Sequence, residues 1–265
     1  GVIWLVLKIW FFFFLFAMIA FSADKPSEIK GGNGITLPPP PATQEKPVTE
    51  DIHGTQITDP YRWLEDQDSP ETRAWIAEQM KYTEQYLSQV KVRPAMVDEL
   101  TKLERVESYS VPIERGGNFF FKKRLADENQ GSIYMRHGWH GQDQRLIDAT
   151  KLSADQNTSV NMVDVSDDGS LLVYEIREGG ADEGSIHVRK VDAGTDLPDV
   201  LPSARYFGVG LSPNNDGLYY ARFTHEGTDV WFHKFGTPVS EDAKVFGGEF
   251  RGDKLGELDL VSTWV

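Results

Sequence analysis

The chain has 265 residues, a formal charge of −14 and a pI near 4.9, enough length for one large domain or two modest ones with a real core. So acidic a surface repels phosphate backbones, which excludes a nucleic-acid partner and reads first as ordinary solubility. The absence of cysteine excludes disulfides, thiolate nucleophiles and cysteine-based zinc sites, and leaves the compartment open.

Residues 1–23, GVIWLVLKIWFFFFLFAMIAFSA, carry an unbroken apolar run from Ile9 to Phe21. A spanning helix needs roughly 20 apolar residues, so residues 1–21 have the composition of a membrane anchor. Ala20 and Ser22, small and set before a polar stretch, equally fit the core of a signal peptide. No basic region precedes the run, and the first residue is Gly. Two starts therefore stand: a leader that exports the protein to a periplasm, the exterior or a membrane surface, or initiation at Met18, which leaves it cytoplasmic. Adjacent phenylalanines with no polar face argue against a buried core helix.

Residues 24–42, with GGNG and LPPPPAT, read as a Pro/Gly-rich linker with no face to bury. Order is predicted to begin with DIHGTQITDPYRWLED. Ser69 then suits a helix N-cap, Pro70 the first helical position and Glu71 the positive end of the helix dipole. Trp75, Ile76, Gln79, Thr83, Tyr86, Leu87 and Val90 recur at helical spacing. A second helix is predicted from about Pro94, with Met96, Leu100 and Leu103 on one face, ending by Arg105.

From Ser108 the texture changes to short β runs: NFFFKKR, GSIYMRH, QRLIDAT, LLVYEIRE, SIHVRKV, GLYYARF and DVWFHKF, separated by Gly, Asn and Asp turns. VDVSDDGSLLVYEIREGG and VGLSPNNDGLYYARFTHEG share one frame: an apolar residue, Ser, an Asn/Asp-Gly turn, an aromatic-rich strand and a glycine exit. Ser166 and Ser212 lie 46 residues apart, within the period of roughly 40–50 expected for four-stranded propeller blades. A third copy opens at LDLVSTWV. The residues after Ser108 suffice for about three blades, and an open propeller exposes strand edges. The expectation is an incomplete propeller.

The strip Asp59, Pro60, Tyr61, Arg62, Trp63, Leu64, Glu65, Asp66, followed by DSPETRAWI, resembles the amino-terminal signature of the prolyl oligopeptidase family of serine peptidases. The resemblance continues in order through ENQGSIY, LIDATKLS, VSDDGSLLVYEI, RKVDAGTDLPDVL and GTPVSEDAKVF, from about Val48 to Phe246. It implies an α/β-hydrolase domain assembled from both chain ends, with a seven-bladed propeller between them. Residues 43–107 would be the amino-terminal helical arm of the hydrolase domain, and 108–265 the first blades, about three of seven, an all-β partial β-propeller. The opening strip would brace a catalytic half lying beyond Val265.

The family's serine, histidine and aspartate all belong to that other half. No G-x-S-x-G elbow occurs here; Ser170 and Ser185 fall within the β repeats. No catalytic residue is therefore assigned, and these residues alone are expected to be inactive. The resemblance implies that RYFGVGL is a blade entry supplying an aromatic, Tyr206, to the substrate pocket, with Phe246 a second and less well aligned position. The alternative for each is a strand aromatic filling space between blades.

Other motifs compete. Asp164, Ser166, Asp168, Gly169 and Glu175 match an EF-hand spacing, but the run after the glycine reads as a strand, so Asp168-Gly169 reads as a hairpin turn. His137 and His140 sit in a turn without an acid cluster and read as solvent-exposed. RGD at Arg251–Asp253 and NTS at Asn157 are triplets short enough to arise by chance.

Two functions follow. The first is an exported serine endopeptidase or oligopeptidase that cleaves short proline-containing peptides after proline. Its propeller would gate access, it would need no cofactor or metal, and it would be a monomer when complete. The second is a non-catalytic propeller fragment that binds a peptide or protein. A sister branch of the family cleaves after basic residues; the Asp-Pro-Tyr-x-Trp-Leu-Glu-Asp form leans towards prolyl.

Overall fold

The computed structural model describes residues 28–224, 227–247, 249–250 and 253–254. The leader or anchor expected at 1–23, the third repeat copy and the first two residues of RGD lie outside the described residues. Among the described residues no helix is long and apolar enough to cross a membrane. The chain divides into two compact units, residues 1–100 and 101–265.

The first unit begins with two short paired strands, β1 (Ile29–Lys30) and β2 (Thr36–Leu37), then a hairpin of β3 (Val48–Ile52) and β4 (Thr55–Asp59). That hairpin turns on His53 and Gly54, both with positive φ, and Asp51 Oδ1 accepts from the Gly54 N–H at 2.7 Å. Helix α1 (Pro70–Leu87) starts as its sequence predicts, Ser69 Oγ accepting from the Thr72 N–H at 3.2 Å. Helix α2 (Arg93–Glu104) runs across the division between the units.

The segment expected as a free linker is instead strapped along α1. Tyr82 donates its hydroxyl to Pro38 O at 2.9 Å and Gln79 Nε2 donates to Pro41 O at 3.4 Å; just past the segment, Trp75 Nε1 donates to Thr43 Oγ1 at 2.9 Å. Trp63 Nε1 adds a bond to Gln44 O at 2.9 Å. A polyproline backbone makes no internal hydrogen bonds, so its carbonyls remain free to accept from aromatic donors on a neighbouring helix.

The opening strip forms an electrostatic knot. Arg62 reaches Asp59 Oδ2 at 3.1 Å and Glu50 Oε2 at 2.7 Å, and the Asp59 carboxylate also accepts the Tyr61 N–H at 2.8 Å. Hydrogen bonds from Tyr61 and Arg62 hold the Asp59 carboxyl below its usual range. Trp63 lies under Lys46 Nζ, 5.2 Å from its ring centroid, and Lys46 in turn pairs with Glu71 at 2.6 Å.

The second unit is built of successive antiparallel sheets. In the first, β5 (Ser108–Tyr109) and β6 (Ile113–Arg115) both pair with β7 (Asn118–Arg124), followed by β8 (Ser132–His137) and β9 (Asp143–Ile147). The second runs β10 (Ser159–Val165), β11 (Leu171–Arg177), β12 (Gly184–Lys190) and β13 (Thr195–Ala204), and the third β14 (Tyr206–Leu211), β15 (Gly217–Thr224), β16 (Gly227–Lys234) and β17 (Ala243–Phe246). A short hairpin, β18 (Glu249–Phe250) with β19 (Asp253–Lys254), follows. Each four-stranded meander is one blade, and the blades do not close into a ring. Pro198 and Pro202 fall on β13, an edge strand, where a missing N–H removes no ladder bond.

The repeated sequence frame forms the same hairpin twice. Ser166 is buried; its Oγ accepts the Leu171 N–H at 2.9 Å and donates to Asp168 Oδ1 at 2.7 Å. Ser212 is buried too, accepting the Asp216 N–H at 3.1 Å and donating to Asp216 Oδ1 at 2.6 Å. The residues of the EF-hand spacing thus belong to a strand–turn–strand unit.

Two apolar seams hold the blades together. Phe120, Ile133 and Ile147 of the first blade meet Val160, Val165, Leu172 and Tyr174 of the second. Val173, Ile186, Val188 and Leu201 meet Leu211, Leu218 and Tyr220 of the third. Full burial of such a side chain stabilises by about 1.5–3 kcal/mol. At the first seam the backbones nearly touch: a Cβ on Gly116, at φ +57, would lie 2.1 Å from Asp168 O, and one on Gly169 would lie 2.8 Å from Arg115 O.

Gly116→Ala is therefore expected to destabilise the chain by about 2 kcal/mol or more. Gly117→Ala, at φ +80 but with nothing within 4 Å, should cost only about 1 kcal/mol. Urea unfolding of both variants checks the difference. Hydrogen bonds from Ser166 and Ser170 hold the Asp168 carboxyl at about 2, below the ordinary 3.8. The unfolded state then binds more protons between these values, so this stabilisation is intact above about pH 4 and disappears as pH falls through about 2. Asp168→Asn should flatten the stability–pH curve in that window, as read by urea midpoints.

Candidate functional site

Tyr206 and Phe246 come from the two outermost strands of the third blade. Tyr206 opens β14 and pairs with Arg222 on β15; Arg222 pairs with Asp229 on β16; the next residue, Val230, pairs with Phe246 on β17. The register brings both aromatics to one end of the blade. Two strands intervene, so their backbones stand roughly 14 Å apart. They are not in one contact.

Tyr206 is half-buried against the second seam. Its hydroxyl donates to Pro202 O at 2.5 Å, and its ring meets Tyr220 edge-on with centroids 5.8 Å apart. Burial raises the Tyr206 hydroxyl above the ordinary tyrosine value, so it stays protonated and acts as a donor. Phe246 is half-buried at the end of its strand.

Behind Tyr206 runs a polar chain that the sequence did not reveal. Tyr220 donates to Asp242 Oδ2 at 2.8 Å; Asp242 Oδ1 lies 2.7 Å from His233 Nδ1; His233 Nε2 lies 3.3 Å from Asp199 Oδ1. Asp199 Oδ1 also accepts the Gly236 N–H at 2.5 Å. His233 is 1% exposed, and its side-chain partners Asp199 and Asp242 are 5% and 2% exposed. The chain ties the last strand of the second blade to the third. Its parts are scattered over more than forty residues, so no local pattern announces it. Only the histidine at an inward position of DVWFHKF hinted at a buried partner.

The serines noted in the sequence are structural. Ser170 closes the first repeated hairpin. Ser185 Oγ lies 2.8 Å from His187 Nε2, but it stands on β12 and not on the strand-to-helix elbow that exposes a nucleophile. His137 is exposed and pairs through Nδ1 with Asn118 Oδ1 at 2.8 Å. Asn157 is exposed, its side chain bonded to Asp155.

Replacing His233 by Ala strands two buried carboxylates. A cost of about 1–3 kcal/mol is expected, with the urea midpoint as readout. An unchanged midpoint would show that water replaces the ring at no cost.

Comparison with known proteins agrees with this architecture. Residues 40–255 match the family described as prolyl oligopeptidase, N-terminal beta-propeller domain. The prolyl endopeptidase of Elizabethkingia meningoseptica is 30% identical over 245 residues, covering 88% of this chain and 33% of the relative. That of Elizabethkingia miricola is 28% identical over the same length and the same shares. A solved structure from a study of two prolyl endopeptidases superposes with a TM-score of 0.67 at 31% identity, over 80% of this chain and 33% of that one. The chain spans about a third of the length of the curated relatives it matches. It belongs to the prolyl oligopeptidase family, and its stacked blades are part of that family's amino-terminal β-propeller.

Proposed function

We propose that these residues are the amino-terminal third of a serine endopeptidase or oligopeptidase that cleaves short peptides on the carboxyl side of proline. The observation that supports this reading is the 30% identity to a prolyl endopeptidase, sustained over 88% of the chain. The chemistry is acyl transfer. A serine on a nucleophile elbow attacks the prolyl carbonyl, a histidine takes its proton and returns it to the leaving amine, an aspartate orients the histidine, and oriented N–H groups stabilise the oxyanion. No cofactor or metal enters this mechanism.

No G-x-S-x-G occurs in the 265 residues, so the nucleophile belongs to the remainder of the protein and these residues alone do not hydrolyse peptides. Their part is to admit and position substrate. Tyr206, with its hydroxyl held by Pro202 and its ring braced by Tyr220, offers a rigid aromatic surface at one end of the third blade for a prolyl peptide. Phe246 contributes from the outer strand at the same end. The propeller restricts entry to short or unstructured peptides.

Residues 43–107 serve as the arm of the hydrolase domain. Met96, Val97, Leu100 and Leu103 form an exposed apolar stripe on α2, which suits a helix that beds against another domain. The apolar run at 1–21 directs the protein to export or anchors it, and the complete enzyme works as a monomer.

The test uses protein expressed from the whole reading frame that contains these residues. Hydrolysis of a fluorogenic Gly-Pro amide, abolished by a serine-directed fluorophosphonate, is expected; peptide binding without hydrolysis would favour the non-catalytic propeller instead. Tyr206→Ala should raise KM about tenfold, equivalent to roughly 1.4 kcal/mol, with kcat changed less than about twofold. An unchanged KM would return Tyr206 to a packing role.

A further inference from the structure

Strand β7 carries three adjacent basic residues whose surroundings differ. Lys123, on one face, is matched by two acids, Glu107 at 3.3 Å and Asp143 at 3.1 Å. Lys122 and Arg124 point to the other face, alongside the buried Phe120. Lys122 Nζ donates to Asn161 Oδ1 on β10 at 3.1 Å, a neutral amide. Beyond the amide, Asn161 Nδ2 donates to Glu175 Oε2 at 3.2 Å, and that carboxylate is already paired with Arg177 at 2.9 Å. Burial lowers the Lys122 ammonium from its ordinary value, and no carboxylate charge offsets it. A half-buried cation without a counter-ion is costly, and folded proteins normally pair it.

Among the described residues Arg124 has a single carboxylate partner, a long and exposed one. It donates to the carbonyls of Glu104 at 2.8 Å and Glu128 at 3.3 Å, and pairs with the exposed Glu104 carboxylate only at 3.8 Å. The guanidinium fork has N–H groups to spare. Both cations line a cleft of 390 Å³ shared with Ser108, Asn129, Gln130 and Gly131, and no acidic residue lines it. Glycine at 131 keeps the lysine stem in place, since a Cβ there would fall 2.9 Å from Lys122 Cε. In a chain of charge −14, two under-compensated cations in one cleft form an island of opposite sign.

We propose that this cleft binds the carboxylate of a small organic acid or peptide. Lys122 Nζ supplies the point charge and Arg124 a planar fork that takes both carboxylate oxygens, with the Ser108 hydroxyl and the Asn129 and Gln130 amides around them. The cleft lies at the same end of its blade as Tyr206 does of the third, since Ser108 and Tyr206 each open the first strand of a blade. The site does not depend on peptidase activity.

Calorimetric titration of the protein expressed from the whole reading frame with succinate, with Gly-Gly-Glu and with uncharged succinamide tests the site. Succinate or the tripeptide should bind with a Kd in the millimolar range or tighter, weakening in 0.5 M NaCl, and succinamide should not bind. Preference between the two acids tells a metabolite from a peptide ligand. Lys122→Met and Arg124→Gln should each weaken binding at least about tenfold. Lys122→Met should melt no lower than the parent without ligand, because it removes an uncompensated charge. In reductively ¹³C-methylated protein the Lys122 resonance should titrate at higher pH once succinate is added. No heat at tens of millimolar succinate, or equal binding by Lys122→Met, overturns the proposal.

Discussion

Everything in the propeller unit rests on the face-to-face burial of neighbouring blades. A four-stranded meander has two faces and can cover neither with its own chain, so each blade is stable only where a neighbour's side chains close over it. Phe120, Ile133 and Leu172 at one seam, and Ile186, Leu201 and Leu218 at the other, are the largest fully buried members of those contacts. The remaining features serve this stacking. Gly116 and Gly169 let two backbones approach within contact distance, Asp164 reaches across to the Leu211 N–H at 2.8 Å, and the Asp199–His233–Asp242 chain pins the outer strands.

The periodic parts of this scheme were legible in the sequence because they follow from local rules. A serine at the strand end closes the hairpin by the same short-range backbone bonds in both copies, but the left-handed turn position is Gly169 in the first and Asn215 in the second, where Asp216-Gly217 already leads into β15. The N-cap at Ser69 was legible for the same reason. What eluded the sequence depends on partners far along the chain. The proline run looked like a spacer because its order comes from Tyr82 and Gln79, more than thirty residues away. His233 looked like any strand histidine until Asp199 and Asp242 were brought to its two nitrogens. The contrast between Lys122 and Lys123 is invisible in the letters KK, since alternation alone sends one to acids and the other to an amide.

The candidate site divides in the same way. The resemblance to prolyl oligopeptidases put Tyr206 and Phe246 forward, and the register sets both at one end of the third blade without bringing them into contact. Tyr206 is held by three groups of its own unit: Pro202, Tyr220 and, through Tyr220, Asp242. A side chain so constrained loses little entropy on meeting a ligand, which is the property a substrate-positioning aromatic needs. In the first unit, the aromatic and charged strip from Asp59 to Asp66 is spent on a compact knot around Arg62 and Trp63, while α2 leaves its apolar stripe exposed.

We propose that these blades are part of a peptidase that recognises proline. Mapping cleavage sites by mass spectrometry, after incubating the protein of the complete reading frame with a mixed library of short peptides, tests it most directly. Cuts on the carboxyl side of proline, lost after fluorophosphonate treatment, are the predicted result. Cuts confined to basic residues, or an intact library bound but not cleaved, would contradict it.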